Sequence, residues 1–178
     1  MAWQIPARQR LKRRPLLFWT LLLSLAVLAG CGEDAPPALE IGDTAPAFTV
    51  LSLEDREISL VDYQGSPVVV RFFLTDCPYC RADTPVLNDY YVRNSAKGLR
   101  VLYIDSLGLD RGALATFAQE MGIKFPVAQD IDGKVAASYH VKALPQAIVL
   151  SPDHKIIAAI LGGVSEPELD RLLSPYLQ

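Results

Sequence analysis

The sequence has few of the side chains that bind transition metals. Its 178 residues include three cysteines and two histidines, His140 and His154. A structural zinc site needs four ligands, commonly two cysteine pairs or one cysteine pair with a histidine pair. Only Cys77 and Cys80 are spaced as such a pair. We therefore predict that the protein has no metal centre and no cofactor.

Positive charge is scarce beyond the amino terminus. Residues 1–30 carry five basic side chains and no acidic one, and since the whole chain has a net charge of −3, the remainder carries −8. A domain that binds nucleic acid presents a basic surface to the phosphates. The charge balance therefore excludes nucleic acid as an expected partner of the folded part.

The apolar run at residues 16–28 is shorter than the roughly 20 residues of a membrane-spanning helix. It follows a basic stretch and ends in Leu28-Ala29-Gly30-Cys31, a pattern that resembles the lipobox of bacterial lipoproteins. The resemblance implies that residues 1–30 are a signal peptide and that Cys31 becomes the lipidated first residue. An uncleaved amino-terminal anchor is the alternative. Both place the protein on a membrane outside the cytoplasm, and Gly32, where Asp would favour inner-membrane retention, favours the outer membrane.

The rest of the chain divides into a linker and one domain. Residues 31–40 are acidic and contain two prolines, which predicts a flexible spacer between lipid and domain. Residues 41–178 have the length of one ordinary domain. With Cys31 assigned to the lipid, Cys77 and Cys80 are the only cysteines that remain. No thiol is then left over in an oxidising compartment.

The most informative stretch is a buried strand that runs into a Cys-x-x-Cys pair. Residues 68–74 are mostly β-branched and aromatic, which predicts a strand buried on both faces, and a helical pattern follows Cys80. Cys77 is expected at the amino-terminal end of that helix, where unpaired N–H groups stabilise a thiolate and lower the thiol pKa. Pro78 suits the first helical turn because it has no N–H to satisfy.

The pair favours redox chemistry over a structural role. Cys80 lies three residues after Cys77, on the same helix face and close enough to close a small disulfide ring. An exposed, activated sulfur beside a shielded one makes a thiol–disulfide exchange centre. A structural disulfide is the alternative, but a bridge across two residues closes almost no loop and stabilises little.

Hydrophobic patterning over residues 41–178 predicts an α/β fold. The order of elements implies a mixed central sheet with helices on both faces and an amino-terminal β-hairpin extension. Asp110 is a candidate N-cap, and Ser165 with Glu168 forms the pattern of a capping box. The predicted strands are 48–53, 57–60, 68–74, 99–105, 147–150 and 156–161, with an extended piece at 125–128, and the predicted helices are 78–95, 110–121, 133–139 and 165–176.

Four fragments in order resemble thioredoxin-fold proteins, specifically the membrane-tethered TlpA/ResA/CcmG-like branch. They cover nearly all of residues 41–178 and comprise the opening Gly42-Asp43-x-Ala45-Pro46-x-Phe48, the approach Leu60-Val61-Asp62-Tyr63-Gln64-Gly65-Ser66-Pro67-Val68-Val69-Val70, the helix start Cys77-Pro78-Tyr79-Cys80-Arg81-Ala82-Asp83-Thr84-Pro85 and the loop Val141-Lys142-Ala143-Leu144-Pro145. The resemblance implies a thioredoxin-like fold and a thiol–disulfide oxidoreductase.

The resemblance also implies roles for individual residues. Cys77 attacks and forms the mixed disulfide, and Cys80 resolves it. Pro145 is expected in the cis form facing the disulfide, with the backbone of Leu144 pairing with an extended client peptide. Pro78 and Tyr79, which lie between the cysteines, are expected at the client contact, with Tyr79 exposed.

The sequence departs from the family pattern at three positions. Asp76 precedes Cys77 where Trp is usual, Arg71 occupies the central strand where a neutral or acidic residue is usual, and Gln146 follows Pro145 where Thr is common. In the resembled branch a carboxylate, here Asp83, lies beneath the disulfide. We predict that Asp83 handles the Cys80 proton and that Arg71 tunes it. In the alternative, Asp83 is a solvent-exposed acid of the first turn and Arg71 extends to the surface.

The function indicated is reduction of disulfides in exported client proteins, with a membrane thiol as electron donor. Clients in cytochrome c or copper-centre maturation are implied by the resemblance. A peroxiredoxin-like peroxidase shares the opening motif, but Thr75-Asp76-Cys77 lacks its active-site spacing. A Sco-like copper-delivery module needs a wider cysteine pair and a downstream histidine. His140 and His154 are instead expected at a helix end and in a hairpin turn.

Overall fold

The computed structural model describes residues 39–178. The predicted signal peptide, the lipidation site Cys31 and most of the linker lie outside the described residues, so those assignments stay predictions. None of the helices within residues 39–178 is long and apolar enough to cross a membrane.

Seven strands within residues 39–178 form one mixed sheet, of which the sequence predicts the mixed character and six strands. The strands are β1 (Thr49–Ser52), β2 (Glu57–Ser59), β3 (Val68–Phe73), β4 (Arg100–Asp105), β5 (Val127–Gln129), β6 (Gln146–Leu150) and β7 (Ile156–Leu161). Their order across the sheet is β2-β1-β5-β4-β3-β6-β7. β3 pairs in parallel with β4 and antiparallel with β6, so it lies well inside the sheet. The predicted hairpins β1–β2 and β6–β7 are confirmed.

Four α-helices of the described part of the chain cover the two faces of the sheet. They are α1 (Pro78–Asn94), α2 (Arg111–Glu120), α3 (Lys134–Ser138) and α4 (Glu166–Leu173), and short 3₁₀ turns follow α1 and α4. Side chains of α1, α2 and α4 pack with Val69 and Phe73 on one face of the sheet. Residues of α3 and of the amino-terminal hairpin pack with Val70 and Phe72 on the other. Two cores thus cover β3 on both sides, because successive side chains of a strand alternate between faces.

Two details differ from the sequence-based prediction. The extended piece at 125–128 becomes a true strand, β5, which joins β4 to the amino-terminal hairpin by pairing with both β4 and β1. The capping box predicted at Ser165 is wrong, because the Ser165 side chain makes no capping hydrogen bond. Glu168 lies along the helix towards Arg171, 3.9 Å away, and so does not turn back to the Ser165 backbone.

Candidate functional site

The two cysteines lie where the segment that follows β3 enters α1. Cys77 is the N-cap of α1, and its sulfur accepts a hydrogen bond from the backbone N–H of Cys80 at 3.3 Å. Pro78 occupies the first turn, and both cysteines are free thiols. The side chain of Arg81 supports the preceding turn by donating to the carbonyl of Thr75 at 2.9 Å and pairing with Glu120 at 3.0 Å.

The two sulfurs have different surroundings. Cys77 is half-buried, whereas Cys80 is 1% exposed because its side chain lies on the face of α1 that packs into the core. Burial and a hydrogen bond with Cys77 raise the pKa of the Cys80 thiol to about 12. Tyr79, between them, is 72% exposed, as predicted. The arrangement provides one accessible sulfur and one shielded sulfur that holds its proton at neutral pH.

A buried ion pair lies on the same side of the sheet as the cysteines. Arg71 on β3 is fully buried and pairs with Asp83 on α1. The guanidinium also donates to the carbonyl of Gly162 at 2.8 Å, and the Asp83 carboxylate accepts the backbone N–H of Val164 at 3.0 Å. The alternative of an exposed Asp83 and a surface Arg71 is therefore wrong, and the predicted link between the two residues is confirmed as a contact.

Opposing influences act on the pKa of the Asp83 carboxyl. Burial raises the pKa of the Asp83 carboxyl, while the Arg71 charge and the Val164 N–H lower it, and the net direction is upward. Oδ1 of Asp83 and Nε of Arg71 are buried and have no hydrogen-bond partner within residues 39–178. The Asp83 carboxyl therefore binds a proton more readily than an exposed carboxyl does.

Thr84 and Tyr103 form a polar contact that the sequence did not identify. Thr84 donates to the carbonyl of Cys80 at 2.6 Å, and its hydroxyl lies 3.2 Å from the Tyr103 hydroxyl on β4. Burial raises the pKa of Tyr103. A single threonine and a single tyrosine, nineteen residues apart, carry no local pattern by which this pair could have been found.

The Leu144–Pro145 peptide bond is cis, as predicted. It directly precedes β6, whose Gln146 pairs with Phe72 near the end of β3, and this places the loop at the edge of the sheet where Cys77 lies. A pocket of about 390 Å³ opens there. Its lining is mostly apolar, with Ser106 and Lys142 as polar members, and comprises Leu74, Ser106, Leu107, Ala136, Val141, Lys142, Ala143 and Leu144. No motif predicted this pocket, because its residues come from four separate segments.

The two histidines belong to elements other than those that carry the cysteines. His140 follows α3, and His154 lies in the β6–β7 turn with a buried, unpartnered Nε2. Within residues 39–178, no three His, Cys, Asp or Glu side chains are grouped so that they could hold a metal ion.

Comparison with known proteins gives consistent results. Residues 41–159 match the AhpC/TSA family. The chain is 33% identical over 135 residues to the thiol-disulfide oxidoreductase ResA of Bacillus anthracis, covering 76% of this chain and 78% of that protein. It is 29% identical over 168 residues to ResA of Geobacillus thermodenitrificans, covering 93% and 95%. The crystal structure of a putative thiol:disulfide interchange protein DsbE from Chlorobium tepidum superposes with a TM-score of 0.73 at 25% identity, covering 79% of this chain and all of that one.

Proposed function

Since the chain belongs to the AhpC/TSA family and is a thiol-disulfide oxidoreductase with a thioredoxin-like fold, we propose that it reduces disulfides of exported client proteins through Cys77 and Cys80. The observation that carries this proposal is the asymmetry of the two sulfurs. Cys77 is accessible at a helix amino terminus, and Cys80 is buried behind it. This division suits one sulfur that meets the client and one that completes the exchange.

The proposed reaction has two steps. The Cys77 thiolate attacks a client disulfide, forms a mixed disulfide and releases one client thiolate, which takes a proton from water. Cys80 then loses its proton and attacks the Cys77 sulfur. The second client thiolate leaves, and the Cys77–Cys80 disulfide forms. The client gains two electrons, the dithiol loses two, and a membrane thiol donor would restore the dithiol.

The client would bind as an extended segment across the sheet edge that holds Cys77. We expect the backbone of Leu144, beside the cis peptide bond, to pair with this segment as a strand would. Tyr79 offers an exposed aromatic contact, and the pocket between Leu74 and Leu144 can receive an apolar client side chain. Clients in cytochrome c or copper-centre maturation fit this chemistry, as do other exported proteins with exposed disulfides.

We further propose that the protein acts on the periplasmic side of the cell envelope, anchored through lipid on Cys31. The lipobox pattern at residues 28–31 and the basic and apolar stretches before it support this location. The outer membrane is favoured over the inner membrane because Gly32 follows the lipidated cysteine.

Trapping of the mixed disulfide tests the roles of the cysteines. We expect Cys80→Ser, mixed with a peptide that carries one intramolecular disulfide, to accumulate a covalent adduct on Cys77. The adduct should persist because no resolving thiol remains, whereas the reduced wild-type protein should return free dithiol peptide. Mass spectrometry of the intact protein and of its fragments identifies the sulfur that carries the peptide.

Cys77→Ser is the matched control, since it also keeps one thiol of the pair. It should form little adduct, because Cys80 is buried and its thiol pKa is raised to about 12. An adduct located on Cys80, or equal adducts in both variants, contradicts the proposed roles.

A further inference from the structure

The central strand carries a buried positive charge at a position where the family pattern has a neutral or acidic residue. Arg71 lies between Val70 and Phe72 on β3, is fully buried and faces α1. A charge on a buried strand is costly unless it is paired and hydrogen-bonded. Arg71 reaches three parts of the fold through its pairing with Asp83 on α1, its bond to the Gly162 carbonyl after β7 and its own strand.

Stability alone does not explain this pair. Buried ion pairs can commonly be replaced by apolar side chains without loss of stability. The pair is also incompletely satisfied, since Arg71 Nε and Asp83 Oδ1 have no hydrogen-bond partner among the residues that the structure describes. Buried polar groups are normally paired, and those that are not call for an explanation, a catalytic role among them.

We propose that Arg71 is a positioning residue for the second step of the exchange: it fixes the Asp83 carboxylate on the Cys80 face of α1 as the acceptor of the Cys80 proton. Asp83 follows Cys80 by three residues, so both side chains lie on the same side of the helix. Two anchors hold one carboxylate oxygen, namely the guanidinium and the Val164 N–H at 3.0 Å, and leave Oδ1 free. The inference rests on the proposed roles of Cys77 and Cys80.

The charge of Arg71 keeps the acceptor usable. Burial raises the pKa of Asp83, and Arg71 is the strongest influence that lowers it. Without Arg71 the pKa of the Asp83 carboxyl would be raised further, so the carboxyl would keep its own proton up to a higher pH and be a poorer acceptor of the Cys80 proton. The other titratable groups that interact with the pair are Cys80 on α1 and Tyr103 on β4. The segment after β7 faces it with the backbone of Gly162 and Val164.

In the proposed step the Cys80 S–H bond breaks and its proton moves to Asp83. The thiolate electron pair then forms the bond to the Cys77 sulfur, and the bond from Cys77 to the client sulfur breaks. Asp83 returns the proton to water or to a leaving thiolate afterwards. No further oxidant or reductant takes part.

The two chemical steps can be timed separately with dithiobis-nitrobenzoate. Attack by Cys77 releases one coloured thionitrobenzoate, and resolution by Cys80 releases a second from the mixed disulfide. Every protein in this assay is the full chain with the substitution Cys31→Ser, so that Cys77 and Cys80 are its only thiols. Stopped-flow absorbance gives both rates for wild type, Arg71→Met and Arg71→Lys. The measurements run from about pH 5 to about pH 10, the range in which carboxyls of raised pKa and thiols titrate.

We expect Arg71→Met to slow the second release by about 100-fold near neutral pH, the lower end of what a positioned general base contributes. The rate should recover as the pH rises, so the pH profile of the second step moves upward, while the first release is nearly unchanged. Arg71→Lys should restore much of the profile, because it returns a positive charge beside Asp83.

Arg111→Met is the matched control for loss of a structural arginine. Arg111 lies on α2 and also bridges two elements, because it donates to the carbonyl of Ser52 at 3.2 Å and pairs with Asp55 at 2.9 Å. It thus links α2 to the amino-terminal hairpin, whereas Arg71 links β3 to α1. Arg111→Met should lower stability and leave both releases unchanged.

The double variant Arg71→Met with Asp83→Asn guards against misfolding, because it leaves no unpaired buried charge. If Arg71 acts through Asp83, the second thionitrobenzoate release from the double variant should be no slower than that from Asp83→Asn alone. A wild-type pH profile in Arg71→Met, or additive losses in the double variant, overturns the inference. Failure of the wild-type protein to release a second thionitrobenzoate would instead overturn the proposed roles of the cysteines.

Discussion

At the scale of single residues, the two sulfurs should differ in reactivity in the native protein. Cys80 is 1% exposed and its pKa is raised to about 12, so it stays a protonated thiol below that pH, and only the thiolate reacts. We expect iodoacetamide at pH 8 to modify Cys77 and to leave Cys80 unmodified.

Mass spectrometry of peptides from the native and the denatured protein checks this difference. The denatured chain serves as its own control, because both cysteines should then be alkylated. Rapid native labelling of Cys80 would show that the sulfur is accessible and would remove the basis for the two roles.

The residues of the site could be predicted from the sequence only where a local pattern exists. The spacing of Cys77 and Cys80 identifies them, and the three residues from Cys80 to Asp83 place the acid on the same helix face. The groups that complete the ion pair are backbone atoms of Gly162 and Val164, 91 and 81 residues from the side chains they bind. A backbone carbonyl or N–H has no signature in the sequence, so the closure of this network required the structure.

At the scale of elements, α2 and α4 begin with different capping. The Asp110 side chain accepts the N–H of Ala113 at 3.0 Å at the start of α2, whereas Ser165 makes no such bond at the start of α4. We expect Asp110→Ala to lower the free energy of unfolding by about 1 kcal/mol. Ser165→Ala, a matched loss of a predicted cap, should change it by less than about 0.5 kcal/mol.

Urea denaturation followed by circular dichroism measures both variants. A loss at Ser165 equal to that at Asp110 would mean that the Ser165 hydroxyl caps α4 in solution. The comparison shows why capping was only partly predictable: the residue types fit at both helices, but the bond depends on side-chain directions that neighbouring contacts decide. At α4, Glu168 lies towards Arg171 and leaves the box unformed.

At the scale of the whole molecule, the anchor and the redox domain should be separable. Lipidation at Cys31 would fix the protein to the membrane, whereas the dithiol belongs to the domain whose two cores are described within residues 39–178. We expect Cys31→Ser to move the protein from the membrane to the soluble fraction, with the reactivity of Cys77 and Cys80 unchanged.

Fractionation of cells, together with mass spectrometry of the amino-terminal peptide, checks the anchor. Cys80→Ser is the control, because it removes a cysteine but should leave the protein on the membrane. An unmodified Cys31, or retention of residues 1–30 in the mature protein, contradicts the lipoprotein assignment.

The architecture was largely predictable because hydrophobic periodicity reports which face of each element is buried. β3 is buried on both faces, is apolar apart from Arg71 and was correctly placed inside the sheet, and the α/β order implied helices on both sides. β5 was the least certain strand, because three residues give almost no periodicity. Its place next to β1 follows from tertiary pairing.

The position of β3 also affects the stage of a client's folding at which the client could be reduced. Hydrogen-bonded neighbours flank this strand and two cores cover it, so the sulfur that follows it has little freedom to move towards a partner. Under the proposed function the client would have to adapt its shape, and only a mobile, extended stretch could do so at low energetic cost. A disulfide buried in a finished fold offers no such stretch. We expect the protein to act on newly exported chains before they fold and to ignore the same disulfides afterwards.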